Sequence, residues 1–185
     1  MLTDSRKKEI TSFAEKQVAG NDSLHGLAHL QQTAKLARWL AKAENGDPEV
    51  CWAAAMLHDI CKNYSGDHAA KGAELALEFL LSMGLPKEFA DKVADAIRFH
   101  NKEFSEGAIE RKILWDADKL PIMAPEGFET RMLPYWKMRK GEVAGTKKAI
   151  EEYAFYKPRF HTETARREVE KYSGEMDRRL KEFFL

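Results

Sequence analysis

The sequence predicts an all-α protein, a single-domain bundle of about eight to nine helices, on three observations. Alternating runs of β-branched and aromatic residues bounded by turns are nearly missing. Apolar residues recur at three- and four-residue spacing. Helix punctuation, with Asp or Pro before such stretches and Gly after them, recurs along the chain. The 185 residues, 44% of them hydrophobic, are enough for one well-developed core and short for two.

The elements follow in order. Asp4 is expected to cap a first helix whose Ile10, Phe13, Ala14 and Val18 share a face, with Gly20 as its stop. A second follows the polar "NDS" at 21–23 and runs to about Glu44. Asp47-Pro48 opens a third, with Asp as N-cap and Pro in the first turn, and this helix is expected to end near Ile60. Gly66-Asp67 begins a fourth, closed by Gly84. Pro86 starts a fifth that reaches His100, and Ile109, Ile113, Leu114 and Ala117 mark a sixth that Pro121 must end or interrupt. Beyond it, "ETRMLPYWKMRK", "GTKKAIEEYAFY" and a stretch from Thr162 to Phe184 read as further helices. The motif-bearing core spans about 20–125, and the helices of 126–185 are expected to pack on it.

Composition narrows the partners. Thirty basic and thirty acidic residues give a formal charge of +0, so no global field draws the chain to a nucleic-acid polymer or an acidic membrane. No apolar stretch approaches the roughly 18–20 residues that span a bilayer, and "MLTDSRKKEI" lacks the apolar centre of a signal peptide. A soluble, cytoplasmic protein is expected. Cys51 and Cys61 are too few for a disulfide framework and read as reduced thiols, Cys61 as a small core residue in preference to a metal ligand.

The chemistry concentrates around "MLHDICKN" at 56–63, where an apolar run ends on two ionisable groups that need partners once buried. Five of the six histidines fall between positions 25 and 100. His25 and His29 are four residues apart, hence on one face near the start of the second helix. His58 and Asp59 close the third, His68 opens the fourth, His100 ends the fifth and Asp118 ends the sixth, with Asp116 as a competing aspartate. Helix ends can aim such side chains into one crevice. A mixed imidazole and carboxylate set suits divalent manganese, iron, cobalt, nickel or zinc better than thiolate-seeking ions.

The order His29, His58-Asp59, Asp118, with "LHDICK" after an Ala-rich helix and "DADKL" after an isoleucine-containing one, resembles the HD-domain superfamily of metal-dependent phosphohydrolases. "HAAKGAELALEFL", "IRFHNKE" and the terminal "FHTETARREVEKY" resemble the small stand-alone HD proteins, some of which cleave nucleotides. The resemblance implies His29, His58, Asp59 and Asp118 as ligands of one metal. It implies His68 and His100 as holders of a second, with Asp59 bridging, and Lys62 as the lysine of an HDxxK variant. "PIMAPEG" departs from many relatives, which carry a further acidic residue and a Gly-containing segment there.

Phosphate-ester cleavage needs a nucleophile at neutral pH and a counter-charge for the phosphoryl oxygens. A divalent ion, magnesium included, supplies both by lowering the pKa of its water from about 15.7 towards roughly 7 and by acting as a Lewis acid. The expected activity is therefore a metal-dependent phosphohydrolase with Asp59 and Lys62 in catalysis, acting on a small phosphorylated molecule, a nucleotide above all. Two other readings stay open: a regulatory HD protein with little catalysis, and a di-iron oxygenase.

His68 and His100 could instead cap helices or contact substrate. His25 reads as a pocket or surface residue and His161 as an N-terminal cap or solvated group. Arg131, Lys137, Arg139 and Lys140, interleaved with Tyr135 and Trp136, read as an amphipathic helix in preference to a phosphate-gripping lid. Trp52 and Trp115 read as core. Both monomer and homodimer are compatible with the sequence.

Overall fold

Small side chains at the centre of α3 (Pro48–Leu57) organise the first part of the chain. Ala53, Ala54, Ala55, Met56 and Leu57 are all buried, and a helix apolar on every side must be surrounded by others. α2 (Leu27–Ala43) and α5 (Lys87–Phe99) pack closely against it, with α1 (Asp4–Val18) alongside. α4 (His68–Ser82) pairs with α5, and Gly84 between them adopts φ +70°, a conformation that favours glycine. α6 (Ile109–Lys119) contributes Ile113 and Leu114 to the core. Arg111 on α6 forks onto Asp95 of α5, with both bonds at 2.5 Å.

This computed structural model describes residues 2–21, 24–103 and 106–182. Among them the chain groups into two compact units, one through Asp118 and one from Lys119 onward. The second contains a 3₁₀ turn at Leu120–Ile122, helical turns at Pro125–Gly127 and Phe128–Met132, and α7 (Leu133–Lys140), α8 (Glu142–Tyr156) and α9 (Glu163–Glu182). α7 and α8 pack so closely that a Cβ on Gly145 would lie 2.5 Å from the backbone of Lys137. Among the described residues there are nine helices and no strand, in agreement with the all-α expectation.

Several boundaries differ from expectation for local reasons. The first cap is Thr3, whose hydroxyl accepts from the Arg6 amide, so Asp4 becomes the first helical residue. α2 begins at Leu27, after the N-cap Gly26, which leaves His25 in the preceding loop and off the helix face expected for it. Asp22 and Ser23 of the "NDS" start signal, and Phe184 at the expected last end, lie outside the described residues. α3 stops at Leu57 because the chain turns through 58–63. Phe128–Met132 forms a wide π turn where a regular helix was expected. Pro134 lacks the N–H that would close a regular turn there. α8 starts at Glu142, after Gly141 at φ +80°, and not at Gly145. α9 is capped by Thr162, whose hydroxyl accepts from the Ala165 amide at 3.3 Å, and not by His161.

Candidate metal centre

Two helix ends in the first unit solve the same problem in the same way. His58 is the C-cap of α3 and His100 the C-cap of α5. Each uses Nδ1 on the carbonyl three residues back, Ala55 at 2.8 Å and Ile97 at 2.7 Å. That bond satisfies a helix-end carbonyl and sets the tautomer, so each ring presents the Nε2 lone pair to the interior. Both rings are buried.

His29, on the first turn of α2, brings its Nε2 to 3.2 Å from Nε2 of His58. Asp118, at the end of α6, places Oδ1 3.1 Å from His29 Nε2 and 3.5 Å from His58 Nε2. Asp59 Oδ2 lies 3.6 Å from His58 Nε2 and 4.0 Å from His29 Nε2. Asp116, the competing aspartate, is wholly buried in the same helix as Asp118.

The other oxygen of Asp59 faces a second group. Oδ1 is 3.4 Å from His100 Nε2, 3.5 Å from Lys62 Nζ and 3.8 Å from His68 Nε2. His68 is the first residue of α4, held there because Asp67 caps that helix through the Ala70 amide at 3.0 Å and pairs with Lys102 at 2.9 Å. One carboxylate thus divides its two oxygens between His29 and His58 on one side and His68 and His100 on the other. The ring centroids run in a chain, 5.1 Å from His29 to His58, 5.0 Å to His100 and 5.5 Å on to His68.

The donor set fits a divalent cation. With metal–ligand distances of about 2.0–2.2 Å, neighbouring donors in one coordination sphere stand roughly 3–3.6 Å apart. Most of the distances within the first group have this size. Asp59 Oδ1 and His68 Nε2 are buried and make no hydrogen bond of acceptable geometry, although nitrogen atoms surround that oxygen. Two triads, His29-His58-Asp59 and Asp59-His68-His100, could each hold an ion among the described residues, and Cys61 stands in neither.

Electrostatics favour the ligand form at His29, His68 and Asp59. Burial lowers the pKa of His29, and it pushes His68 down to about 4, with Lys62 and His100 adding to the effect. Both imidazoles are thereby kept neutral and able to act as ligands. Burial alone would raise Asp59, but His58, His100 and Lys62 outweigh it and hold the carboxyl well below the usual range. Burial likewise opposes charge on His58, yet Asp59 and Asp118 raise its pKa overall.

The remaining candidates stand outside the two triads. The His25 ring stands edge-on to His29, 6.1 Å between centroids. Its loop is tied by Asn21, which donates to the His25 carbonyl at 3.0 Å and accepts from Asn63 at 2.7 Å. Asn21 and Asn63 were missed in the sequence, where turn asparagines carry no mark of a role. Lys62 is half-buried. Trp115 is buried, as expected, whereas Trp52 is only partly covered. In the second unit Arg139 lies over Tyr135 and Lys140 and Lys148 over Trp136, whose indole donates to Glu152 at 3.2 Å, so these groups largely engage one another.

Comparison with known proteins adds three results. The family model of the HD domain matches residues 26–123. A bifunctional uridylyltransferase/uridylyl-removing enzyme from Rhodospirillum rubrum is 31% identical over 93 residues, 48% of this chain, which spans only a tenth of that protein's length. Among solved structures, a predicted HD superfamily hydrolase from an uncultured Thermotogales bacterium is 27% identical, covering 96% of this chain and 90% of that one, with a TM-score of 0.69. An HD-superfamily hydrolase from Bacillus thuringiensis is 22% identical, with coverages of 98% and 97% and a TM-score of 0.78. Bacillus subtilis YpgQ in complex with ADP is 21% identical, with coverages of 95% and 91% and a TM-score of 0.75.

Proposed function

Because this chain belongs to the HD-domain family, we propose that it is a metal-dependent phosphohydrolase that cleaves a phosphoester or phosphoanhydride bond of a small phosphorylated substrate, a nucleotide above all. The observation that carries this reading is the division of Asp59 between two groups of inward-facing imidazoles, with Asp118 closing the first. His29, His58, Asp59 and Asp118 would hold one divalent ion, and His68 and His100, sharing Asp59, a second. Such ions supply Lewis acidity and an acidified water.

The chain's own residues supply the rest. Ala55 and Ile97 carbonyls fix the His58 and His100 rings, so the donors are aimed before any ion arrives. Lys62 Nζ, beside Asp59 and partly open to solvent, provides a positive charge for a phosphoryl oxygen at the rim. His25, whose ring stands edge-on to His29, would help to position the substrate. Two relatives lend support to the substrate class: the name of one includes removal of uridylyl groups, and another was crystallised with ADP.

The test is a screen of phosphomonoesters, phosphodiesters, nucleoside triphosphates and dinucleoside polyphosphates with manganese, cobalt, nickel, zinc, iron and magnesium. Asp59→Ala is expected to reduce kcat/KM at least about a thousandfold, some 4 kcal/mol of transition-state stabilisation. Lys62→Ala is expected to reduce it about tenfold to a hundredfold. Turnover undiminished in Asp59→Ala would remove hydrolysis from this site. Metal binding with no turnover would favour a regulatory role, and oxygen uptake with bound iron would favour oxygenation.

A further inference from the structure

We propose that a groove on the first unit, sharing no lining residue with the metal centre, binds an anionic aromatic ligand of the nucleotide class. α2 has two functional faces. His29, Leu30, Thr33, Ala34, Ala37, Leu40 and Ala41 are buried. Gln31, Lys35, Arg38, Trp39 and Lys42 stand at i, i+4, i+7, i+8 and i+11, which places them together on the opposite face. With Trp52 and Met56 of α3 they line a cavity of about 510 Å³, within the roughly 300–1,000 Å³ usual for small-ligand sites.

The chemistry of the lining selects the ligand. An amphipathic helix normally gives its solvent face to charged and polar groups, yet Trp39 is 41% exposed among three cations on that face. Two of the three cations are not neutralised locally. Glu49, the only acid paired with this face among the described residues, is shared by Lys7 at 3.1 Å and Arg38 at 2.9 Å. Among the described residues Lys35 and Lys42 have no ion-pair partner, and Nε of Arg38 is buried without a hydrogen-bond acceptor. Donors without acceptors beside an open indole call for a molecule with phosphate oxygens at one end and a planar ring at the other. Phosphate alone would leave the exposed Trp39 indole uncovered, and an uncharged ring would leave Lys35 and Lys42 unanswered.

The full chain is titrated with ADP in EDTA, so that no ion bridges nucleotide to the metal centre, and the four indole N–H resonances are followed by ¹⁵N correlation spectra. Trp39 and Trp52 are expected to shift along one saturable curve by about 5 mM ADP while Trp115 and Trp136 stay in place. Trp39→Ala and Lys35→Glu/Lys42→Glu, all at exposed positions, should each weaken binding at least tenfold, as should replacing ADP by adenosine or by pyrophosphate. His58→Ala should leave the affinity within twofold. The proposal is overturned if Trp39 does not respond, if pyrophosphate matches ADP, if neither groove variant weakens binding, or if His58→Ala abolishes it.

Discussion

The metal centre and the α8 segment of the second unit both bury polar atoms that make no hydrogen bond, and they differ in company. Around Asp59 Oδ1, three nitrogen atoms stand within 4 Å, all belonging to side chains that can bind or balance an ion. The Tyr153 hydroxyl is buried without a hydrogen-bond partner, and the ring meets Phe128 edge-on at 5.9 Å between centroids. A lone orphan is a packing cost, usually about 1–3 kcal/mol. Several inward-facing donors brought together against their own repulsion describe a group that could hold a cation. Experiments that separate these two situations test the assignment more sharply than activity alone.

The largest expected effect is thermal. A ligand that binds only the folded chain stabilises it by about 2.7 kcal/mol at a hundred times its Kd. For a protein of this size that corresponds to roughly 5–10 °C in Tm. Saturating manganese should raise Tm by this amount in the parent chain and by almost nothing in His58→Ala or Asp59→Ala, measured by scanning calorimetry. Chelation should return the parent to its starting value. An equal rise in the variants would place the ion elsewhere.

A smaller effect divides the cluster itself. His29 and His58 are buried and within reach of Asp118, whereas His68 is half-buried at the start of α4. His68→Ala should lower bound manganese from two ions per chain towards one and spare most of the thermal shift, as read by elemental analysis after gel filtration. Two ions retained by this variant would assign His68 to substrate contact instead. Half-occupied sites in the parent, with one ion at saturation, would deny both His68 and His100 a ligand role.

The sequence made the first group easier to see than the second, for a physical reason. His58-Asp59 follows the apolar run 52–57, and Asp118 and His29 fall at helix ends, so their convergence could be expected before any coordinates. The division of Asp59's oxygens depends on a side-chain rotamer that residue order does not encode. The Ala55 and Ile97 carbonyls that aim His58 and His100 are backbone atoms and leave no mark in the residue names. His25 was misplaced because Gly26, and not the polar segment before it, starts α2. The segment 131–140 stood out by composition, but composition does not tell whether cations face a ligand or neighbouring rings; there they lie over Tyr135 and Trp136. The basic face of α2 was hidden in the opposite way, as an ordinary polar stripe whose single tryptophan stands out only once its exposure is known.

The smallest effect concerns Tyr153, and its sign distinguishes an orphan from a ligand site. Burial, helped by Asp177 and Glu170, pushes this phenol up to about 12 from an ordinary value of 10. The unfolded chain therefore releases the proton first, holds fewer protons than the folded one between these values, and gains in relative stability as pH rises through that window. Tyr153→Phe should be neutral or stabilising by about 0.5–1 kcal/mol at pH 8, because it removes a hydroxyl without a partner. Its advantage over the parent should widen on approach to pH 11, where the parent alone must keep a phenol protonated in order to stay folded. Denaturant midpoints at the two pH values measure the gap. Loss of stability in the variant at pH 8 would mean that the hydroxyl is held by something, and the contrast with Asp59 would lose one of its two sides.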